Sequence, residues 1–561
     1  MTFPSEPRAR RWAAVLLVGA VAAACTEEQV PAPLLPGCVT SAATAVTLAA
    51  GAYTSVDPAT DSGCVAFPGN GTADTITYLV IGQSAGGTPG DSTTFELSSA
   101  TAGAAAAPPA AAPRPIPGGL SARARAYGPN ARRFDRFLRT QARTRAYVRP
   151  AAAAPGAPVA HPAAGPPVLG SLRTFQVCAN YDCSVFDAVV GQVQAVGPDV
   201  AIYVDTTAPA GGFGAAGYDS LQQAFETHVF AVDTGAFGGV SDVDSNGVVL
   251  VLMTNVINQL VSAQECETGG FVAGFFYPGD LDPQARTQYN DGELFYTLVP
   301  DPTGELSCSH TVDDVATLLP STFAHELQHM ISFNQHVLVR NGPLEDLWLD
   351  ESLSSLGEEL SARSYLPDTT TFSYGMFGDL YDAYFYYVSP PDHFLLQTSD
   401  TLLPDFGAGW LYLRYLVDQF GAGLTRSLEE TSLTGTANVA AQTGLPFATT
   451  AERWALANYV SDLPGFAPAP ELQYTSWSFR GIFGSFYSQD PYDFPYAFPL
   501  QPVGSDPGSV GVSGELGAGS AAYAGVIQRP HSAGFTLTFR ANPKGLISPD
   551  LVPRITILRL R

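Results

Sequence analysis

The sequence predicts an α+β fold, and three observations predict it. Of the 561 residues, 46% are hydrophobic and 11% aromatic, a globular composition. Between residues 171 and 465, runs of β-formers give way to stretches with helical spacing of apolar residues. On both sides of that span, short alternating apolar runs are broken by Gly, Pro, Asp and Asn. The expected architecture is a two-part central unit, a mixed sheet followed by a helical half, flanked by N- and C-terminal β domains. A chain of this length exceeds one ordinary core, so several domains are expected.

The elements justify this in order. Arg8, Arg10 and Arg11 precede an apolar run from Trp12 to Ala24, shorter than the roughly 20 residues that span a bilayer. Residues 1–24 therefore read as an export signal. "VAAAC" resembles a bacterial lipoprotein signal, in which Cys25 is lipidated and begins a tether over 25–37; a plain secretory signal is the rival. Setting Cys25 aside leaves six of the seven cysteines, an even number in a chain expected to meet oxidising conditions. Proximity suggests Cys38–Cys64, Cys178–Cys183 and Cys266–Cys308.

Residues 38–100, with "TITYLVIGQS" and "TTFELSS", read as an N-terminal β domain. Residues 101–170 are rich in Ala, Pro and Arg, and ten of the 27 basic residues fall between Arg114 and Arg149. There "ARRFDRFLRTQARTRAYV" suits a basic helix, in either a solvated linker or a pro-segment that docks on the acidic body. From Leu172, "RTFQV", "VAIYVD", "VVLVLM", "FVAGFFY" and "ELFYTLV" read as strands, and "SVFDAVVGQVQAV" and "DSLQQAFETHVF" as helices. Helices are then expected from Pro320, over 346–363, over 409–420 ended by Gly421, and over 450–461. From 466 to 561 the chain returns to strands, "GFTLTF" and "PRITILRL" the clearest.

The formal net charge of −25 argues against nucleic acid and anionic lipid as partners of the body. The membrane is then reached only through a lipid on Cys25, at the bacterial cell envelope; without that lipid the chain is secreted.

The strongest chemical signal is "STFAHELQHMIS". His325 and His329 are one helical turn apart and share a face, a spacing that suits two nitrogen ligands of tetrahedral Zn²⁺. Glu326, rotated about 100° from His325, lies where a carboxylate takes a proton from water at the metal. A third ligand is required. "LEDLWLDESLSSLGEEL" offers Glu351, 22 residues after His329, on a second amphipathic helix beyond the turn "RNGP". Glu358 and Glu359 are rival ligands, and Glu358 is also suited to fixing a histidine's other nitrogen.

"HELQH" followed by "LWLDESLSSLGEE" resembles the H-E-x-x-H and N-E-x-x-[SA] arrangement of gluzincin metallopeptidases. A closer resemblance is to hyicolysin-like secreted bacterial peptidases, carried by "AHELQHMI", by the Trp348–Leu349 segment with Glu351, and by "GAGWLYLRYLVDQFG", over roughly residues 170–465. The resemblance implies a zinc metallopeptidase with His325, His329 and Glu351 as ligands and Glu326 as general base. It also implies an oxyanion donor, for which Tyr374, Tyr381, Tyr384, Tyr386, Tyr387, His393 and Tyr412 are candidates. Asp350 stands where Asn is common, and the 22-residue spacing exceeds that of the best-known families. The G-x-M-E-N signature that captures a free amino terminus is absent, which favours an endopeptidase over an aminopeptidase. The rival of another class is a surface adhesion or binding lipoprotein with an inactive peptidase-like domain. A second metal, Ca²⁺, is suggested by "DVDSNG" through Asp242, Asp244 and Asn246. Met253 replaces the closing Glu of such a loop, so a tight turn competes.

Overall fold

The protein is described by a computed structural model over residues 44–58, 63–101, 128–145, 165–398, 402–504, 510–541 and 545–561. The export signal, Cys25 and Cys38 lie outside these residues.

Strands β1 (Thr44–Ala45), β2 (Tyr53–Val56), β3 (Cys64–Phe67), β4 (Ile76–Ser84) and β5 (Ser92–Thr101) come first. The central strands follow: β6 (Leu172–Cys178), β7 (Phe186–Val196), β8 (Val200–Asp205), β9 (Val249–Met253), β10 (Gly274–Phe276) and β11 (Leu294–Thr297). The last are β12 (Gly511–Gly517), β13 (Ala521–Gln528), β14 (Phe535–Ala541) and β15 (Pro553–Arg559).

Two separate terminal β domains were expected. Instead, strands from both ends share the same two sheets, ordered β1-β3-β14-β5-β12 and β13-β4-β15-β2. β5 is antiparallel to β12 and β14, and β4 to β13 and β15. Each segment leaves strand edges that only the other covers, so neither closes a sheet alone. Phe95 and Phe539, one from each end of the chain, meet edge to face at 6.0 Å in the core. The C-terminal region also holds a helix, Phe479–Gln489, where only strands were expected.

The central sheet runs β10-β11-β9-β8-β7-β6, parallel across β11-β9-β8 and antiparallel elsewhere. "SVFDAVVGQVQAV", expected as a helix, is β7. Its buried residues alternate, Val189, Gly191, Val193 and Ala195, a period of two that its β-branched valines favour. Gly191 is packed so closely that a Cβ would lie 3.0 Å from both Leu252 and Phe175. The expected disulfides Cys178–Cys183 and Cys266–Cys308 are formed.

Six helices matter for the site: α1 (Pro129–Thr144), α2 (Val312–Phe333), α3 (Leu347–Ser364), α4 (Thr369–Val388), α5 (Leu403–Phe420) and α6 (Phe447–Val460). α2 starts earlier than expected. Thr311 caps it in a box with Asp314, a T-x-x-D pattern that fixes the start, and Pro320 lies inside the helix. Past Phe333 the chain winds on as a π-helical turn through Val339, and the turn at 340–346 then leads into α3. β10, at the sheet edge, runs beside α2. A Cβ on Gly274 would fall 2.6 Å from the Tyr296 carbonyl and 2.9 Å from Thr322, so only glycine permits this approach.

Candidate metal centre

α2 and α3 face each other and bring His325, His329 and Glu351 to one point. The His325 and His329 Nε2 atoms are 3.1 Å apart. Glu351 Oε2 is 3.7 Å from the first and 3.9 Å from the second. Donors at about 2.1 Å from a tetrahedral ion lie roughly 3.4 Å from one another, so these separations fit a shared ion.

A fourth group joins them. Asp135 Oδ2, from α1, lies 3.8 Å from His329 Nε2. One donor atom from each of Asp135, His325, His329 and Glu351 falls within 4.8 Å of all the others, and all four residues are buried. Apart from each other, neither Glu351 nor Asp135 Oδ2 has a hydrogen-bond partner, although Glu351 is completely buried. Burial, then the adjacent Asp135 carboxylate, pushes the Glu351 carboxyl well above its ordinary range. Two buried carboxylates aimed at two imidazole nitrogens form a donor set that suits a cation.

The imidazoles are held from behind. Glu358 Oε1 lies 2.8 Å from His325 Nδ1, which keeps the proton on that nitrogen and turns the Nε2 lone pair inward. Ser321 Oγ donates to the other Glu358 oxygen. Burial opposes ionisation of Glu358, but the His325 hydrogen bond and charge hold its carboxyl below the ordinary value. Behind His329, Asp350 Oδ1 is 3.2 Å and Ser354 Oγ 3.1 Å from Nδ1. The residue that departs from the gluzincin pattern thus still faces a histidine. Glu359 points elsewhere, to Arg363, Arg414, Trp410 and Trp477. Glu351 therefore joins the imidazoles, while Glu358 stands behind them.

Glu326 lies beside the cluster, at the sheet edge. Its Oε2 accepts the Phe276 N–H of β10 at 2.7 Å and is 3.4 Å from Arg139 Nη2 of α1.

Most of the oxyanion candidates have partners in the helical core. Tyr384 bonds the Tyr496 backbone, Tyr387 bonds Asn458, Tyr412 bonds Thr450, and His393 pairs with Asp405. Tyr386 is buried against Trp454, and Tyr381 packs on Phe385. Tyr374 alone among them lines a cavity of about 530 Å³, which also reaches Ser321 and Glu358.

Of the expected Ca²⁺ residues, Asp242 and Asp244 gather with Glu293, and Asn246 Nδ2 donates to Asp244 Oδ2 at 2.7 Å. Asp242 and Asp244 accept the Gly247 and Asn246 N–H groups, and Asn246 accepts that of Val248, as in the competing tight turn. The grouping of Cys266, Cys308 and His310 is accounted for by the disulfide.

Asp135 escaped the sequence reading. The only signal for it is one acidic residue inside an arginine-rich helix, four positions before Arg139, which bonds it at 2.8 Å.

No family model matches the chain. Over 142 residues it is 28% identical to a protein described as neutral metalloprotease ShpI of Staphylococcus hyicus. The stretch covers 25% of this chain and 30% of that protein, so under a third of the relative's length is matched. This similarity supports a metallopeptidase relationship and, with the clustered donors, a metal cofactor.

Proposed function

We propose that the protein is a zinc-dependent endopeptidase of the gluzincin type, similar to hyicolysin-like enzymes, acting on extracellular or periplasmic proteins. The observation that carries this reading is the meeting of His325, His329 and the fully buried Glu351 carboxylate beside Glu326. Two imidazoles and a carboxylate favour Zn²⁺ over harder cations. Bound there, the ion supplies Lewis acidity and lowers the pKa of water toward about 7.

The protein groups do the rest. Glu326 accepts the proton of the attacking water and delivers it to the leaving amine. Glu358 and Asp350 keep the imidazoles in register. β10, an edge strand, is placed to align a substrate backbone beside Glu326. Residues 1–24 direct export, and a lipid on Cys25 ties the enzyme to the cell envelope.

The test combines metal analysis with casein digestion, run on the intact chain and after limited tryptic cleavage. About one zinc per chain is expected, with hydrolysis that a chelator stops and zinc restores. Failure to retain metal, or no chelator-sensitive hydrolysis in either form, would overturn the reading.

A further inference from the structure

We infer that helix α1 is a built-in plug that holds the centre latent, with Asp135 as a fourth protein ligand in the position a catalytic ion keeps open for water. The inference rests on the metallopeptidase reading above. A hydrolytic site of this kind needs three protein ligands and one open position. Here a second carboxylate, from a helix far upstream in the sequence, completes a set of four. Its Oδ2 enters the ligand cluster, 3.8 Å from His329 Nε2, while Arg139 Nε and Nη2 hold its other oxygen at 3.0 and 2.8 Å.

The same arginine reaches the proposed base. Arg139 Nη2 lies 3.4 Å from Glu326 Oε2 and 3.3 Å from the Phe276 carbonyl. One buried guanidinium thus engages the blocking aspartate, the base and the backbone of the edge strand. A Phe276 carbonyl that already accepts a hydrogen bond is less available to a substrate strand.

α1 is also seated as a plug would be. Phe134 and Leu138 are fully buried, and Phe134 packs edge to face on Phe275 of β10, with centroids 5.0 Å apart. Arg132 sits 3.8 Å from Asp382 of α4, whose carboxylate has no hydrogen bond, and over the Phe406 ring at 4.6 Å. Arg143 and Arg145 pair with Asp346 and Asp282 at the rim. Beside His325 and Asp135 only about 60 Å³ of cavity remains, far below the several hundred Å³ of ordinary ligand pockets. The basic helix thus binds the acidic body by charge, fills the cleft and blocks the ion.

Replacing Asp135 by Ala opens the fourth position; replacing Arg139 by Gln is the second variant, since it removes the clamp that seats the Asp135 carboxylate and releases the Phe276 carbonyl. The intact full-length chain and both variants would be loaded with Co²⁺ for visible absorption, with Zn²⁺ for casein hydrolysis, and followed by hydrogen exchange over 129–144. For the Asp135 variant a changed cobalt spectrum is expected, with faster exchange in α1 and hydrolysis raised about tenfold or more over wild type, the scale of one charge-assisted contact. The Arg139 variant should also raise hydrolysis. An unchanged cobalt spectrum with unchanged hydrolysis in both variants would overturn the plug while leaving the peptidase standing. So would loss of metal and activity together, which would make Asp135 a permanent structural ligand. Absence of metal from all three proteins would overturn the peptidase reading itself, and this inference with it.

Discussion

The β-sandwich and the helical layer that carries the centre bury their residues differently. Among the described residues, no Asp, Glu, Lys or Arg of the sandwich strands is buried; its buried polar groups are uncharged, such as Gln83, Ser99, Gln528 and Thr556. The region around α1, α2, α3 and α4 buries Arg132, Asp135, Arg139, Glu326, Asp350, Glu351, Glu358, Asp379 and Asp382. Several of these carboxylates have atoms without hydrogen bonds. Burying a charge is expensive unless it is paired. The sandwich avoids that cost and holds shape. The helical layer bears it around the donor cluster of Asp135, His325, His329 and Glu351.

This contrast can be broken from either side. The largest effect is expected from Glu326→Gln, measured as casein hydrolysis in the tryptically cleaved chain. The rate should fall about 10²–10⁴-fold with zinc content unchanged, and a variant of full activity would remove Glu326 as base. Next, Glu351→Ala should weaken zinc retention about 10²-fold or more, beyond the 10–100-fold typical of supporting groups, as read by competition with a chelator. In the sandwich, Phe539→Ala should cost about 3–5 kcal/mol of stability in denaturant titration. The ring lies against Gly82, where a Cβ would come within 2.8 Å of it. Zinc retention in the folded fraction should not change; if it did, the two regions would not be energetically separate.

Glu358→Gln should lower zinc affinity by about tenfold, less than loss of Glu351, and equal losses would erase the difference between ligand and support. A separate, pH-dependent effect concerns Asp280, whose carboxyl burial pushes up to about 7 despite hydrogen bonds from Tyr296 and Asn290. A raised folded-state value means that ionisation opposes folding. Wild-type stability relative to Asp280→Asn should therefore fall as pH rises from about 4 to about 7 and then level off, as thermal melts at several pH values would show.

The parts of the site legible in the sequence were those whose chemistry fixes a spacing. His325, Glu326 and His329 lie within a single helical turn, so their relation is local. Glu351 needed only one turn of chain and a second amphipathic helix. Asp135 is not local: it reaches the cluster only because α1 docks across the sheet edge, and its neighbours in sequence are arginines. An oxyanion donor was not legible either, because the tyrosines of "LYDAYFYY" look alike in sequence and are separated only by packing. In the fold, the parallel core strands β8 and β9 were legible as continuous apolar runs. β7 was not, since its valines fit either period until the sheet fixes one. The pairing of strands from opposite ends was also hidden, because nothing local marks a strand's partner.

That pairing has a consequence for how the molecule would come apart. β4 is wedged between β13 and β15, and β5 between β12 and β14, while α1 lies on the stretch of chain that leads away from them. Scission on both sides of α1 would let the helix go, yet the leading fragment would stay stitched to the remainder along six strand borders. A chain so cut would be a two-piece molecule, and a denaturing gel, not a sizing column, would reveal the break.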